Sequence, residues 1–341
     1  MIRFNKPTIE KKDLESVLYC MIGDDLMPGD HLKSFTRMLS QHLGLSSVGV
    51  FNTYCSCFET VFSLIGACPG DEVIIPSYAR FRIYHCIEKL GFKPVPVDLE
   101  QDALLPSVGD ITQKRTDRTK CVVIPQMFGI PGDLEPYLEL GLPVIEDLDG
   151  SLDSRIGEKR IGSFGNFVTM HFHDDSIITT GAGGMVASRD RRLGGYLRTL
   201  REEETCCDYL MSDFNASLGI SQMKKLGKTL EKRRSIGRFF DEAVMGSSCT
   251  LPGVRQDLDL DYSSYPVITD TPFEDCVRFF KKYDIPVRRG IRNPLHRIAG
   301  LDGTDFKHTE ETDRRMVALP VYPTLSGEHI NNIAKGIRAV L

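Results

Sequence analysis

Apolar positions recur at two periods along the chain, and their alternation predicts short buried strands separated by helices. Ile9 to Ile22 and His31 to Leu43 carry apolar side chains at three- and four-residue spacing, the pattern of helices with one buried face, with Met27-Pro-Gly-Asp30 as the turn between them. Val48-Gly-Val-Phe51 predicts a strand that runs through Asn52-Thr-Tyr-Cys-Ser56 into a helix whose Phe58, Val61, Phe62 and Ile65 share a face. Further strands are predicted at Glu72 to Pro76, Pro94 to Asp98, Cys121 to Ile124 and Leu142 to Asp147, with a helix through Tyr84 to Leu90. Short apolar strands alternating with helices imply a mostly parallel sheet covered on both faces.

The stretch from Gly162 to Gly184 reads as a buried strand, Phe167 to Phe172, a polar turn, and a glycine-rich return into Met185-Val-Ala. A functional group in that turn sits at a strand end, where open α/β sheets place their ligands. The loop before the second helix-bearing unit offers the hydroxyls of Thr53 and Ser56 and free backbone N–H groups at a helix start, a setting suited to an anion. From Ser212 to about Glu242 the pattern is helical and charged. It leads to a smaller C-terminal unit with strands at Tyr265 to Ile268 and Ile285 to Arg288 and a closing helix from Glu328 to Leu341. The expected organisation is a large α/β domain over 1–240 and a small α+β domain over 241–341.

Composition narrows the function classes. The 341 residues carry a net charge of −5 with no lysine/arginine block, which argues against nucleic acid or an anionic membrane as partner. No run approaches the ~20 apolar residues of a membrane span. The start, Met1-Ile-Arg-Phe-Asn-Lys6, lacks a signal-peptide core, so a cytoplasmic protein is expected. The ten cysteines are scattered and include Cys55-Ser-Cys57 and Cys206-Cys207 rather than paired Cys-x-x-Cys units, so they read as small buried hydrophobes and not as a disulfide framework or zinc site. Cys55, at a helix start but without an identifiable base, reads as a buried structural cysteine.

The order of several segments resembles the DegT/DnrJ/EryC1/StrS family of pyridoxal-phosphate-dependent nucleotide-sugar aminotransferases. The likeness runs through Phe4-Asn-Lys-Pro7, Pro69-Gly-Asp-Glu-Val-Ile-Ile-Pro-Ser77, Pro94-Val-Pro-Val-Asp98 and Val144-Ile-Glu-Asp147. It continues in Ile161-Gly-Ser-Phe-Gly165, Thr179-Thr-Gly-Ala-Gly-Gly-Met-Val186, Met211-Ser-Asp213, Pro294-Leu-His296 and Leu319-Pro-Val-Tyr-Pro323. The resemblance implies the fold-type I PLP-transferase architecture, aspartate aminotransferase-like: a large domain with a seven-stranded, mostly parallel sheet, a small α+β domain, and a homodimer with its sites at the subunit interface. It also implies a lysine Schiff base, a carboxylate on the pyridine nitrogen and donors for the phosphate.

The residues answer these requirements unevenly. Asp147 matches the pyridine-nitrogen partner, but the register that leads to the family's lysine reads His171-Phe-His-Asp-Asp-Ser176, and no lysine occurs between Lys159 and Lys224. The family's Ser-Gly-Thr phosphate loop is Thr53-Tyr-Cys55, followed by Ser56. Its phosphate serine is His171, its ring-stacking aromatic is Arg80, a glutamine is replaced by Gly150, and its interfacial asparagine aligns with Asp208. Asp174 and Asp175 would repel a cofactor phosphate. Ser176 is a poor base, His171 and His173 lie two apart on one strand face, and the His-x-His-Asp-Asp run matches no specific metal motif, so no metal is assigned. Arg80 is expected to form an ion pair with Asp147 in the vacated cofactor slot, and His296 either to contact a ligand or to pack in the small domain.

Three functions follow as expectations. The first is a homologue with a degenerate cofactor site, not an active aminotransferase, that serves as a binding or regulatory protein in sugar or natural-product biosynthesis, with no covalently held cofactor. The second is an enzyme acting on a nucleotide-sugar or amino-sugar with non-covalent PLP or PMP. The third is a repurposed catalyst with a His/Asp or metal centre. The fold alone does not choose between them.

Overall fold

In the computed structural model, which describes residues 2–23, 26–202, 206–253 and 257–339, the predicted strands meet in one seven-stranded sheet. Its strands are β1 (Ser47–Phe51), β2 (Glu72–Pro76), β3 (Lys93–Val97), β4 (Thr119–Pro125), β5 (Val144–Asp147), β6 (Phe167–His171) and β7 (Gly184–Ser188). They stand in the order β1-β7-β6-β5-β4-β2-β3. Only β7 runs against its neighbours, pairing antiparallel with both β1 and β6. The C-terminal ends of the other six strands therefore share one edge, and every chemistry-bearing loop named from the sequence lies along it. β1, β2, β5, β6 and β7 are buried at every residue, the pattern of strands covered on both faces.

The helices follow the apolar spacing: α1 (Lys11–Ile22), α2 (Asp30–Leu43), α3 (Tyr54–Leu64), α4 (Phe81–Lys89), α5 (Asp213–Lys224) and α6 (Leu226–Val244). α4 starts earlier than its apolar pattern suggests because Arg80 is the extended N-cap residue and the buried positions Ile83, Tyr84, Cys86 and Ile87 span its whole length. The start of α2 is capped from a distance. The Asp213 carboxylate accepts from the backbone N–H of Gly29 at 2.7 Å, His31 at 2.9 Å and Leu32 at 2.8 Å, closing the unpaired donors of the helix start. A side chain on Gly29 would meet that carboxylate at 2.9 Å, so the cap needs glycine there.

C-terminal to α6, β8 (Tyr265–Ile268), β9 (Arg288–Arg289) and β10 (Met316–Leu319) form a second sheet in the order β8-β10-β9. The strand predicted over Ile285 to Arg288 is displaced. The backbone N–H of Ile285 returns to the carbonyl of Phe280 and closes the preceding helix, so it is not free for a ladder, and pairing begins at Arg288. The main core lies against the seven-stranded sheet, and a second core gathers Phe240, Tyr265, Phe280, Ile333 and Ile337. α6 serves both, with Leu226 and Leu230 in the first and Ile236, Phe240 and Ala243 in the second.

The cysteine expectation is corrected at one pair. Cys55, on the first turn of α3, is disulfide-bonded to Cys86 of α4, with Cα atoms 5.0 Å apart and a sequence separation of 31. The two helices pack side by side and bring the thiols together, a proximity invisible in sequence. Closing a loop of that length constrains the unfolded chain by about 3–4 kcal/mol. Cys20, Cys57, Cys121, Cys249 and Cys276 are buried, as expected, and Cys68 is exposed.

Candidate functional site

Asp147 ends β5 at the shared strand edge and is 1% exposed. Its Oδ2 accepts from the Tyr54 hydroxyl at 2.5 Å and the Thr169 hydroxyl at 2.8 Å, and Oδ1 accepts from the Asp149 N–H at 3.1 Å. Tyr54 comes from the first turn of α3, where the chain leaving β1 turns its ring inward, 4% exposed, edge-on to His171 at 5.6 Å and to His173 at 6.3 Å. Thr53 and Ser56, the expected anion donors, are engaged with each other and with the helix start: Thr53 Oγ1 accepts from the Ser56 N–H at 3.1 Å and lies 2.7 Å from Ser56 Oγ.

Burial pushes the Asp147 carboxyl from its ordinary 3.8 up to about 6, against the opposing hydrogen bonds of Tyr54 and Thr169. The folded state thus holds this proton as pH falls through about 6, whereas the unfolded chain takes it up only near 3.8. Asp147 therefore favours folding most at low pH, and the contribution is lost as pH rises through the folded value. Relative to the parent protein, Asp147→Asn should gain up to about 3 kcal/mol of stability between pH 4 and 7 in urea unfolding. A pH-independent difference between the two would contradict the shift.

The expected Arg80 to Asp147 ion pair does not form. Arg80 pairs with Asp149 instead, Nε to Oδ1 at 3.0 Å and Nη2 to Oδ2 at 3.1 Å, and donates Nη1 to the Gly290 carbonyl at 3.0 Å. Tyr54 and Thr169 already satisfy Asp147, and Asp149, at φ 45°, is turned to face Arg80 and the N–H of Phe128.

Ser176 is 4% exposed and fixed against His171, its hydroxyl 2.8 Å from Nδ1 and donating to the His171 carbonyl at 2.8 Å. Gly150 makes this contact possible: at φ +79° it faces Ser176 Oγ, which an added Cβ would approach to 2.9 Å. On the other side of His171, Arg82 of α4 places Nη1 2.9 Å from His171 Nε2, 3.1 Å from His173 Nδ1 and 3.1 Å from Asp175 Oδ1, while Nη2 pairs with Asp175 Oδ2 at 2.5 Å. Burial and the Arg82 charge hold both imidazoles below their ordinary range, so they are neutral. Burial opposes ionisation of Asp175, but its charged neighbours outweigh it and keep the carboxylate ionised. Asp174, the other expected ligand residue, is exposed, and its carboxylate acts on His173 through its charge.

Beyond Arg80 and Arg82 a cleft of about 520 Å³ opens toward the C-terminal unit. Arg288, Arg289 and Arg292 line its far side, and Asp149 and Asp175 are its only lining carboxylates among the described residues. Arg288 lies over the Phe4 ring at 4.6 Å and Arg289 over Phe273 at 4.6 Å, which fixes two guanidinium planes at the wall. Such a surface attracts an anion with several charged oxygens. No lysine lines the cleft among the described residues.

His296 packs rather than faces a ligand. Its Nδ1 lies 2.7 Å from Ser77 Oγ and its Nε2 2.8 Å from Glu310 Oε1, with the ring stacked on Phe306 at 4.3 Å. The chain Ser77–His296–Glu310 has the connectivity of a hydrolytic triad, but Ser77 and His296 are both 0% exposed and no substrate can reach the hydroxyl. It is a strut from the end of β2 to the C-terminal unit. Sequence reading missed Tyr54, Arg82 and Asp149, whose importance depends on which way the first turns of α3 and α4 face. The Arg288-Arg289-Gly-Ile-Arg292 cluster was a legible signal.

With this geometry in view, the likeness to known proteins is broad. The sequence pattern of the DegT/DnrJ/EryC1/StrS aminotransferase family matches residues 7–338. GDP-perosamine synthase of Escherichia coli O157:H7 is 25% identical over 351 aligned residues, covering 97% of this chain and 96% of its own. The dTDP-4-dehydro-2,3,6-trideoxy-D-glucose 4-aminotransferase of Saccharopolyspora spinosa is 24% identical, covering 98% of this chain and 95% of its own. Among solved structures, the aminotransferase TlmJ from Streptoalloteichus hindustanus superposes with a TM-score of 0.89 at 25% identity, covering 99% of this chain and 98% of its own. The PLP-form of the sugar aminotransferase Spr1654 from Streptococcus pneumoniae superposes at 0.90 with 19% identity, covering 99% of this chain and 97% of its own. The fold is thus that of the PLP-dependent sugar aminotransferases. Among the described residues no helix is long and apolar enough to cross a membrane.

Proposed function

The chain belongs to the DegT/DnrJ/EryC1/StrS aminotransferase family, and from that premise we propose that it binds a nucleotide-sugar in the arginine-lined cleft without lysine-dependent amino transfer. The observation that carries this reading is the Tyr54 hydroxyl on Asp147, the carboxylate that would serve the cofactor ring. Ser176 adds to it by presenting a hydroxyl, locked on His171, where the resemblance places the amine. As arranged, these residues do not fit a lysine-linked pyridoxal phosphate: among the described residues no amine lines the cleft, and the ring partner is taken. The cleft itself suits a phosphorylated ligand, since Arg288 and Arg292 have no carboxylate partner among the described residues. Relatives named for GDP- and dTDP-linked sugars make that ligand class the natural one to test.

The test has two parts. Purified protein mixed with pyridoxal phosphate should show no band near ~410–420 nm, the absorbance of the lysine-linked cofactor. Calorimetry with GDP- and dTDP-sugars should show saturable binding that weakens at least about tenfold in the double variant Arg288→Ala/Arg292→Ala. Appearance of the band, or no binding of any nucleotide-sugar, would overturn the proposal.

A second reading is an enzyme that holds PLP or PMP non-covalently. It is favoured by the retention of Asp147 at the end of β5 and by the PLP and PMP forms of a structural neighbour. It requires Tyr54 to leave Asp147, and tight PMP binding weakened by Asp147→Asn would select it. A homodimer belongs to both readings. Leu14, Leu18 and Ile22 recur on one face of α1, each more than half exposed, beside the exposed Tyr19 and Met27, as a surface awaiting a second copy. Light scattering should give twice the chain mass of 38.3 kDa.

A further inference from the structure

His171, His173 and Asp175 each direct one ligand atom at a common point, with those atoms within 4.8 Å of one another. That point is filled by a single atom, Arg82 Nη1, at 2.9, 3.1 and 3.1 Å from the two imidazole nitrogens and the carboxylate oxygen. A guanidinium Nη carries two hydrogens, so three acceptors compete for two donors and one lone pair is poorly served. The acceptor geometry is built rather than incidental. Ser176 Oγ lies 2.8 Å from His171 Nδ1 and uses its own proton on the His171 carbonyl, so Nδ1 carries the hydrogen and the Nε2 lone pair is aimed at Arg82. A histidine ligand of a metal is commonly oriented in this way by a hydrogen bond at its other nitrogen. The two rings are stacked at 5.0 Å with an interplanar angle of 21°, which keeps their lone pairs side by side.

We propose that His171, His173 and Asp175 form a binding site for a divalent first-row transition metal, with Arg82 as the displaceable cation that holds the site open in its absence. Two imidazoles and one carboxylate on one side of an ion are a recognised donor set for such metals and leave further coordination positions free. Those positions face the cleft, whose wall includes both Arg82 and Asp175. Metal–ligand bonds of ~2.0–2.2 Å require the three donors to close by about 1 Å from their present distances to Nη1. His173 and Asp175 lie on the turn after β6, partly exposed, where such movement costs least. Arg82, one-quarter exposed on its side chain, swings into the cleft and joins Arg288 and Arg292 in facing the anionic ligand. The site does not depend on the nucleotide-sugar reading, because it is defined by groups that need no sugar to be present.

Chelator-treated full-length protein titrated with cobalt(II), and separately with zinc(II), tests this. The expected result is saturable binding of one ion per chain, with visible cobalt absorption bands. Affinity should fall at least about tenfold in His173→Ala and in Asp175→Asn, and rise in Arg82→Met. Circular dichroism establishes that each variant is folded. Three outcomes would overturn the proposal: no binding by the parent protein, binding confined to Arg82→Met, or binding unchanged in both ligand variants. The last would place the ion elsewhere, for example on cysteine thiols.

Discussion

Ser176→Lys, made alone and mixed with excess pyridoxal phosphate, should remain without the band near ~410–420 nm that marks a lysine-linked cofactor. Adding Tyr54→Gly should bring the band up. The difference follows from the ring that now stands in front of Asp147. Tyr54 is 4% exposed, donates to Asp147 at 2.5 Å, and packs edge-on against His171, so an amine at position 176 alone does not vacate the space a pyridine ring needs. Glycine is also what the family's phosphate loop carries at that place in the resemblance, so the double variant restores both the opening and a backbone approach to the helix start. A stoichiometric band in the single variant would mean that Tyr54 is easily displaced. The second reading, a non-covalently held cofactor, would then become the stronger one.

Glu146→Ala should cost about 4 kcal/mol or more in urea unfolding, a large share of the ~5–15 kcal/mol available to a typical protein. Glu146 is 0% exposed on β5, beside Asp147. Its carboxylate accepts from the backbone N–H of Gly162 at 2.7 Å, Phe164 at 3.0 Å and Gly165 at 3.0 Å, and from Gln126 Nε2 at 3.4 Å. Burial pushes its carboxyl up, and the backbone donors pull against that shift. Truncation leaves three backbone N–H groups without partners, each costing about 1–3 kcal/mol. Glu146→Gln, which keeps an oxygen acceptor, should fall between. A loss under about 1 kcal/mol in Glu146→Ala would mean that water or a shifted loop replaces the carboxylate.

Glu146 also shows why so much of the fold was legible. Val144-Ile-Glu-Asp147 and Ile161-Gly-Ser-Phe-Gly165 were read as separate segments, and one side chain joins them. Their recurrence in order reflects a contact. Strand and helix placement followed from apolar periodicity because nearly all of the main sheet is buried on both faces. What stayed hidden depends on direction. Periodicity puts Tyr54 in the segment leading into a helix, but does not say that it begins that helix with its ring turned inward. The apolar spacing predicts α4 only from Tyr84 and leaves Arg80 and Arg82 ahead of it, whereas in the fold Arg80 caps α4, Arg82 lies in its first turn, and the two face different groups, Asp149 and the His171 cluster. The expectation for Arg80 failed because its supposed partner Asp147 was already satisfied by a residue that carried no chemical signal in the sequence. Cys55 and Cys86 were hidden for a related reason: their pairing is a packing fact about two helices.

Helix α6 gives the molecule a property that neither core has alone. Its first turns are nailed into one hydrophobic cluster and its later turns into the other. Near the middle, Gly237 lies so close to the Tyr262 ring that an added Cβ would sit 2.5 Å away. A helix is stable mainly through the surfaces it packs on, and its turns propagate order to one another once formed. Loosening either cluster therefore releases half of a rod that the other cluster needs, and the two are expected to melt as one cooperative unit. The arginines at 288, 289 and 292 are thereby held to the sheet edge that carries Asp147 by the same transition that keeps the chain folded.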